Sequence, residues 1–172
     1  MKVLLFGNIA AGKTTIANKI LKRQSPLEYL AIDDFRKALA DGSIEKENYT
    51  VKEFAKAIQI GKHQLLEATG FGNVGRSIYD KLSITNEPIL IVIILTDLKE
   101  IFNRIKKRKW EIPYPDEFKQ LEKTVKDIHQ NLRSGKICKQ WSSRKSTSIL
   151  KTSDIKLVLE TINYFLNQSI EK

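Results

Sequence analysis

The sequence predicts an α/β fold in which a mostly parallel sheet of about five strands lies between two layers of helices. Short apolar runs of strand type alternate along the chain with longer segments whose apolar residues recur at helical spacing. The longest uninterrupted apolar run, residues 89–95, is typical of a strand that is buried on both faces of a parallel sheet. The 172 residues have the length of one domain that folds without disulfides or a structural metal.

The N-terminal elements are predicted to alternate between strand and helix. Residues 3–6 form a short apolar strand, and the apolar residues after Gly12 recur at helical spacing. Residues 27–32 predict a second strand that ends at a pair of aspartates. A short helix follows, and the turn sequence Asp41-Gly42-Ser43 ends it.

Three elements are predicted in the middle of the chain. Thr50 and Glu53 form a capping-box pattern before an apolar face, which predicts a helix from about 50 to 60. Residues 65–68 predict a third short strand that runs into the turn sequence TGFGN. Residues 74–82 then predict a weaker helix before the apolar strand already described.

The C-terminal half is predicted to contain a lid between two helices. Asp97 is placed to cap a helix, and two prolines break the basic stretch at about 106–116, which we expect to be a small helical lid or flap. A long helix at 118–132, a last strand at 148–150 and a closing helix at 155–166 complete the fold.

Cysteine usage and hydropathy predict a cytoplasmic protein with no membrane association. Cys138 is the single cysteine and cannot form an intrachain disulfide, which favours a reducing compartment. The apolar residues before Gly7 are too few for a signal peptide. No apolar run approaches the ~18 residues that cross a bilayer.

The charge of the chain is strongly positive and unevenly distributed. The net charge is +10, and residues 99–151 contain fifteen Lys and Arg against six Asp and Glu. Such an excess is expected of a protein with an anionic partner such as nucleic acid, and equally of a lysine-rich solvated surface. The oligomeric state is not indicated by the sequence.

A phosphate-binding loop is predicted at residues 7–14, where GNIAAGKT fits the pattern G-x-x-x-x-G-K-[ST] between a predicted strand and a predicted helix. Its two glycines permit the backbone angles that turn successive N–H groups toward anionic oxygens. The helix that follows points its positive end at the same place. The predicted nucleotide-binding residues are Gly7, Asn8, Ala10, Ala11, Gly12, Lys13, Thr14 and Thr15.

This loop predicts ATP and Mg²⁺ as ligands. Lys13 is expected to reach the β- and γ-phosphates, and the Thr14 hydroxyl is expected to bind Mg²⁺. Thr15 is expected to support the α-phosphate. The fold is therefore predicted to be that of a P-loop NTPase.

Three classes of P-loop protein are candidates: a kinase, a GTPase-type switch, and an ATPase or nucleotide-dependent binding module. A GTPase should contain the base-reading motif [NT]-K-x-D, which does not occur in this sequence. Large motor and AAA-type modules are expected to need more than 172 residues. A compact kinase is the class that remains.

Four segments together resemble the nucleoside-monophosphate-kinase-like group of small P-loop kinases: the phosphate-binding loop, IDDFR at 32–36, EATGFGN at 67–73, and Arg104-x-x-x-Arg108 before the lid. That group includes adenylate and shikimate kinases and the kinase domains of polynucleotide 5′-kinases, whose DDYR segment is similar to DDFR here. The resemblance implies phosphoryl transfer from ATP to a hydroxyl group.

One carboxylate and one guanidinium are candidates for the acceptor side of this reaction. Asp33 lies at the end of the second strand, just at the edge of the crevice where such sheets bind ligands. In the kinases it resembles, the first Asp of this pair orients and deprotonates the acceptor hydroxyl. Arg36 lies on the same helical face as Asp33 and could hold the acceptor or its phosphate. Helix capping is the alternative role for either aspartate, Asp33 or Asp34.

Glu67 ends the third predicted strand, where a carboxylate could hold a water of the Mg²⁺ shell, and a surface acid is the alternative. Arg104 and Arg108 lie four residues apart on one helical face that leads to the lid. By resemblance to lid arginines of the group, one lies against adenine and the other contacts ATP phosphates. A solvated basic helix end is the alternative.

The sequence thus predicts an ATP- and Mg²⁺-dependent kinase that transfers the γ-phosphoryl group to a hydroxyl of a small-molecule or nucleoside-type acceptor. A polynucleotide 5′-hydroxyl is the rival acceptor, favoured by DDFR and by the basic C-terminal half. A non-catalytic nucleotide-binding regulator is the third hypothesis.

Overall fold

A five-stranded parallel sheet forms the centre of the molecule in a computed structural model, which describes residues 1–23, 27–107 and 121–170. The strands at residues 2–7, 64–68 and 89–94 are short, rich in aliphatic residues and buried along their whole length. Such strands need cover on both faces. The strands are β1 (Lys2–Gly7), β2 (Glu28–Ala31), β3 (Gln64–Ala68), β4 (Ile89–Ile94) and β5 (Thr147–Thr152).

Helices connect successive strands and supply that cover. Eight are present among the described residues, and most present a stripe of buried aliphatic residues to the sheet. They are α1 (Lys13–Leu21), α2 (Ile32–Leu39), α3 (Ile44–Ala57), α4 (Gly72–Ser83), α5 (Leu98–Lys107), α6 (Leu121–Arg133), α7 (Lys136–Ser142) and α8 (Ile155–Ile170). In the described part of the chain, no helix has both the length and the apolar character needed to cross a membrane.

Strand order places the phosphate-binding loop at the middle of the sheet. The order is β2-β3-β1-β4-β5, with every pair parallel, so β1 lies between β3 and β4. Leu5 is in register with Glu67, and Gly7 with Ile94. Because all the strands run the same way, their carboxyl ends meet at one edge, where sheets of this type bind ligands.

The two faces of the sheet are covered by different helices. Val3 and Leu5 pack with helices α1 and α8, whereas Leu4 and Phe6 pack with helices α3 to α7. Alternation along a strand sends successive side chains to opposite faces, which explains both clusters. The predicted three-layer α/β arrangement with a parallel sheet is therefore confirmed.

The prediction for α3 was wrong at its start. The helix begins six residues earlier than Thr50, and its N-cap is Ser43, whose Oγ accepts a hydrogen bond from the Lys46 amide at 3.2 Å. Thr50 is fully buried inside the helix and donates its hydroxyl to the Lys46 carbonyl at 2.7 Å. The first turns contain mostly charged and polar residues, so their helical character could not be recognised from apolar spacing.

Helix α7 was not predicted, and the lid prediction is not tested. Only Ile137 and Trp141 are buried in this short helix, which gives a weak periodic signal. Gly135 precedes it with φ of 79°, a left-handed conformation that separates it from α6. Most of the stretch predicted as a lid, from 108 onward, lies outside the described residues, as do 118–120 of the predicted long helix.

Candidate functional site

The phosphate-binding loop runs from the end of β1 to the start of α1 with two left-handed residues. Gly12, the N-cap of α1, has φ of 95°, and Ala10 has φ of 56°, which few residues other than glycine adopt. The first turn of α1 contains no acidic residue, so no side chain there offsets the positive end of the helix. The loop therefore combines an unusual backbone with a local positive potential.

Side chains from distant elements hold the loop in this shape. Asn8 is buried, and its amide nitrogen donates to the carbonyl of Val125 in α6 at 2.8 Å while its Oδ1 accepts from the Ile9 amide at 2.8 Å. Thr96, just after β4, donates its hydroxyl to the Ala11 carbonyl at 3.1 Å. Preorganisation of this kind lowers the cost of ordering the loop around an anion.

Lys13 and Arg104 add positive charge around the loop. The Lys13 ammonium donates to the Asn8 carbonyl at 2.9 Å across the loop. Arg104 in α5 donates from Nη1 to the Ala10 carbonyl at 3.2 Å, and its Nε donates to Glu100 at 2.7 Å. The structure thus brings Arg104 to the loop, whereas Arg108 lies outside the described residues.

Glu67 is held between two hydroxyl groups at the end of β3. Thr14 donates to its Oε1 at 2.8 Å and Tyr29 donates to its Oε2 at 2.5 Å. Burial, together with this bond to a carboxylate, raises the pKa of Tyr29 well above its ordinary value, so the phenol remains a donor. No sequence pattern indicates Tyr29, which lies 38 residues from its partner.

The Thr14 hydroxyl and the Glu67 carboxylate are suited to hold a hard divalent cation. A hydroxyl oxygen and a carboxylate oxygen 2.8 Å apart are the donor type that Mg²⁺ prefers, with phosphate oxygens and waters completing its shell. No group of three His, Cys, Asp or Glu side chains that could hold a metal by itself occurs in the described parts of the chain. A metal at Thr14 and Glu67 would therefore depend on a bound phosphate.

Asp33 lies beside a buried ion pair that the sequence did not indicate. Arg36 is 5% exposed, and it donates from Nη2 and Nε to Glu47 of α3 at 2.5 to 3.2 Å. Its Nη1 donates to Asp33 Oδ1 at 3.1 Å. The guanidinium therefore fixes the position of Asp33 and bridges α2 to α3, an arrangement that needs the tertiary packing of the two helices.

One cleft of about 1510 Å³ is lined by Lys13, Thr14, Asp33, Arg36, Glu67 and Arg104. One side, which we call the β2–β3 flank, is formed by cleft-lining residues between 32 and 48 and between 67 and 74. The other side, the β4–β5 flank, is formed by cleft-lining residues between 94 and 133 and by Ser153 and Ile155. The phosphate-binding loop lies between the two flanks, as the strand order requires.

The sequence matches the AAA domain family, AAA_33, over residues 3–134. The chain belongs to this family. The expectation that its length excludes an AAA-type module was wrong, because a match of this extent fits inside 172 residues. A comparison with curated proteins gives no match to the sequence.

Solved structures of small P-loop proteins have a similar fold. A gluconokinase from Sinorhizobium meliloti 1021 is 8% identical, with a TM-score of 0.60 over 97% of this chain and 91% of that one. Deoxyadenosine kinase from M. mycoides with bound dATP is 18% identical, with a TM-score of 0.59 over 97% and 100%. Kti12 from Chaetomium thermophilum in complex with ADP-AlF3 is 13% identical, with a TM-score of 0.60 over 96% and 99%.

These comparisons confirm the predicted resemblance to small P-loop kinases and the P-loop NTPase-like fold. The low identities mean that the likeness concerns the fold. Of the predicted site residues, the cleft brings together Lys13, Thr14, Asp33, Arg36 and Glu67, and it also includes Arg104. Glu47, Thr96 and Tyr29 were missed, because each acts through a contact between elements far apart in sequence.

Proposed function

We propose that this protein is an ATP- and Mg²⁺-dependent cytoplasmic kinase that transfers the γ-phosphoryl group to a hydroxyl of a small-molecule or nucleoside-type acceptor. The observation that carries the proposal is the common cleft. Asp33, on the β2–β3 flank, lines the same cleft as the phosphate-binding loop and Lys13. Phosphoryl transfer to an alcohol needs these parts together: a phosphate cradle, cations around the transferred group and a carboxylate for the attacking hydroxyl.

The loop and its cations bind the donor nucleotide. The amides of residues 7–14 and the start of α1 hold the phosphates, and Thr15 adds a hydroxyl at the α-phosphate. Lys13 releases the Asn8 carbonyl, to which it now donates, and contacts the β- and γ-phosphates. Arg104, which already reaches the loop, stabilises negative charge on the transferring group, and Arg108 is proposed to contact the nucleotide beside it.

Thr14 and Glu67 would hold a magnesium ion, directly or through its water shell. The ion, when bound, offsets charge on the β- and γ-phosphates. Glu67 is fixed for this role by its hydrogen bonds to Thr14 and Tyr29, so its orientation does not depend on the ion.

Asp33 accepts the proton of the acceptor hydroxyl. The hydroxyl oxygen forms a bond to the γ-phosphorus while the bond from that phosphorus to the β–γ bridging oxygen breaks, leaving ADP and a phosphorylated acceptor. Arg36 donates to Asp33 and keeps its carboxylate oriented toward the cleft. Positioning and electrostatics thus supply most of the catalysis.

Transfer from γ-labelled ATP to a panel of nucleosides, sugars and 5′-hydroxyl oligonucleotides tests the proposal. Asp33→Asn should lower turnover by on the order of 100-fold or more, with ATP affinity nearly unchanged, because a general base contributes that much. Asp34→Asn, at the exposed neighbouring position, is the matched control and should retain activity. A panel without any labelled acceptor would contradict the kinase and favour a non-catalytic nucleotide-binding regulator.

A further inference from the structure

We propose that the acceptor is electrically neutral: a sugar or nucleoside that the cleft recognises by its hydroxyl groups and an apolar face, and not a compound that carries a carboxylate or a phosphate. This inference rests on the proposed kinase function and names its substrate class. It is derived from the β2–β3 flank, the side of the cleft that contains Asp33.

The charge of this flank disfavours an anion. Three carboxylates line it, those of Asp33, Glu47 and Glu67, whereas Arg36 is the one cationic side chain among the described residues of the flank. An anionic acceptor would therefore enter a region of negative potential, and like charges brought close in a cleft repel strongly.

Arg36 is already committed to carboxylates within the protein. Its side chain is 6% exposed, and it donates from three nitrogens to Glu47 and Asp33. To bind a substrate phosphate it would have to leave Glu47, whose side chain is 11% exposed, and a buried carboxylate would lose its partner. Breaking a buried pair in this way is strongly unfavourable. The guanidinium therefore orients Asp33 and is not an anchor for an anion.

The remaining surface of the flank matches a neutral polyol. Asn48 of α3 and Asn73 of α4 are exposed and line the cleft, and an amide side chain can both donate to and accept from hydroxyl groups. Ile44 is 56% exposed and Phe71 is 41% exposed, and both line the same flank. Exposed apolar groups beside amides provide a face for a sugar ring or a nucleobase.

Matched acceptor pairs test the charge preference. Glucose is compared with gluconate, and adenosine with adenosine 3′-monophosphate, which retains its 5′-hydroxyl. We expect kcat/KM for the neutral member of the productive pair to exceed that for the anionic member by roughly tenfold or more, a gap typical of one unfavourable charge interaction. The pair that is labelled distinguishes a sugar from a nucleoside.

Failure of this inference can be separated from failure of the kinase. If the anionic member is used as well as the neutral one or better, the acceptor class is wrong and the kinase stands. If ATP binds and no compound of the full acceptor panel, these pairs included, is labelled, both proposals are overturned.

Glu47→Gln tests the structural cause. The substitution keeps the size of the side chain and a hydrogen-bond acceptor for Arg36 but removes the charge, so the ratio of anionic to neutral kcat/KM should rise roughly tenfold. This ratio is measured within one preparation and does not depend on the fraction of folded enzyme. Glu45→Gln, in the exposed first turn of the same helix, is the control and should leave the ratio unchanged. An unchanged ratio in Glu47→Gln would contradict the role of the Arg36–Glu47 pair.

Discussion

Tyr29 shows how a single residue can orient a site without belonging to its motif. Its hydroxyl donates to Glu67 at 2.5 Å, and Thr14 donates to the other oxygen of the same carboxylate at 2.8 Å. The raised pKa of the half-buried phenol keeps the proton on Tyr29 throughout the neutral range. Partners of a metal-ligating carboxylate commonly change metal affinity when they are removed.

Tyr29→Phe should weaken the response to magnesium more than it slows turnover. The ring is kept and only the hydroxyl is lost, so the Mg²⁺ concentration for half-maximal activity should rise by on the order of tenfold or more. With saturating Mg²⁺, kcat should stay near the wild-type value. Activity measured against Mg²⁺ at fixed ATP gives both quantities. Tyr49→Phe, on the exposed surface of α3, is the control. If Tyr29→Phe needs the same Mg²⁺ concentration as the wild type for half-maximal activity, Tyr29 does not orient Glu67 for the metal.

Residues with local signatures were predictable and residues with distant partners were not. The phosphate-binding loop has fixed spacing. Asp33 follows β2 and Glu67 lies near the end of β3, and the carboxyl ends of these strands share one edge of the sheet. Glu47 was not predictable, because it is one of several acidic residues on a polar helix and its partner lies 11 positions away. Sequence patterns record position along an element, whereas these contacts depend on how elements pack.

A backbone contact between two glycines sets the turn from β3 to α4. A Cβ at Gly75 would lie 2.5 Å from the Gly70 carbonyl oxygen, and a Cβ at Gly70 would lie 2.5 Å from the ring of Phe6. Gly70 also has φ of 74°. The helix can therefore approach the turn this closely only without side chains, and this approach positions Phe71 at the cleft.

Gly75→Ala should destabilise the protein although it lies within a helix. An ordinary helical Gly→Ala change stabilises by roughly 0.5–1 kcal/mol. Here the added methyl meets backbone atoms that cannot move away cheaply, so we expect a loss of roughly 1–3 kcal/mol. Urea unfolding gives the difference. Ser77→Ala on the same helix should be neutral or mildly stabilising, and a raised midpoint for Gly75→Ala would show that the contact is not constraining.

The succession of strands and most helices along the chain was predictable, whereas helix starts in polar sequence were not. The strands β1, β3 and β4 are apolar runs that alternate with amphipathic helices, and this pattern alone indicated the layers. Helix α3 starts at Ile44 in a polar segment, and its first turns are held by the Ser43 cap and by Glu47. Stabilisation by a cap and by tertiary contacts produces no helical spacing of apolar residues in the sequence.

The positive charge of the protein and its cleft are separate features. The chain has a net charge of +10, yet the described residues that line the cleft include six carboxylates and five cations. Three of those carboxylates are Asp97, Glu100 and Asp127 on the β4–β5 flank, close in sequence to Arg104 and Arg133. Among the described residues, the excess of Lys and Arg therefore lies mainly outside the cleft, which favours a small acceptor over a polynucleotide for the proposed kinase.

Nucleic acid should bind this protein only through that outer surface. A 5′-hydroxyl oligonucleotide should bind weakly at low salt, and its affinity should fall steeply between ~50 and ~200 mM salt, because displaced counterions drive such binding. Saturating ATP should leave this binding unchanged, since the two ligands contact different surfaces, and no label should pass from γ-labelled ATP to the oligonucleotide. Fluorescence anisotropy across the salt series, with and without ATP, measures the first two effects, and product analysis measures the third. Salt-resistant binding that ATP alters, or a labelled 5′ end, would instead place the polynucleotide in the cleft and require the lysine-rich half of the chain to be part of the acceptor site.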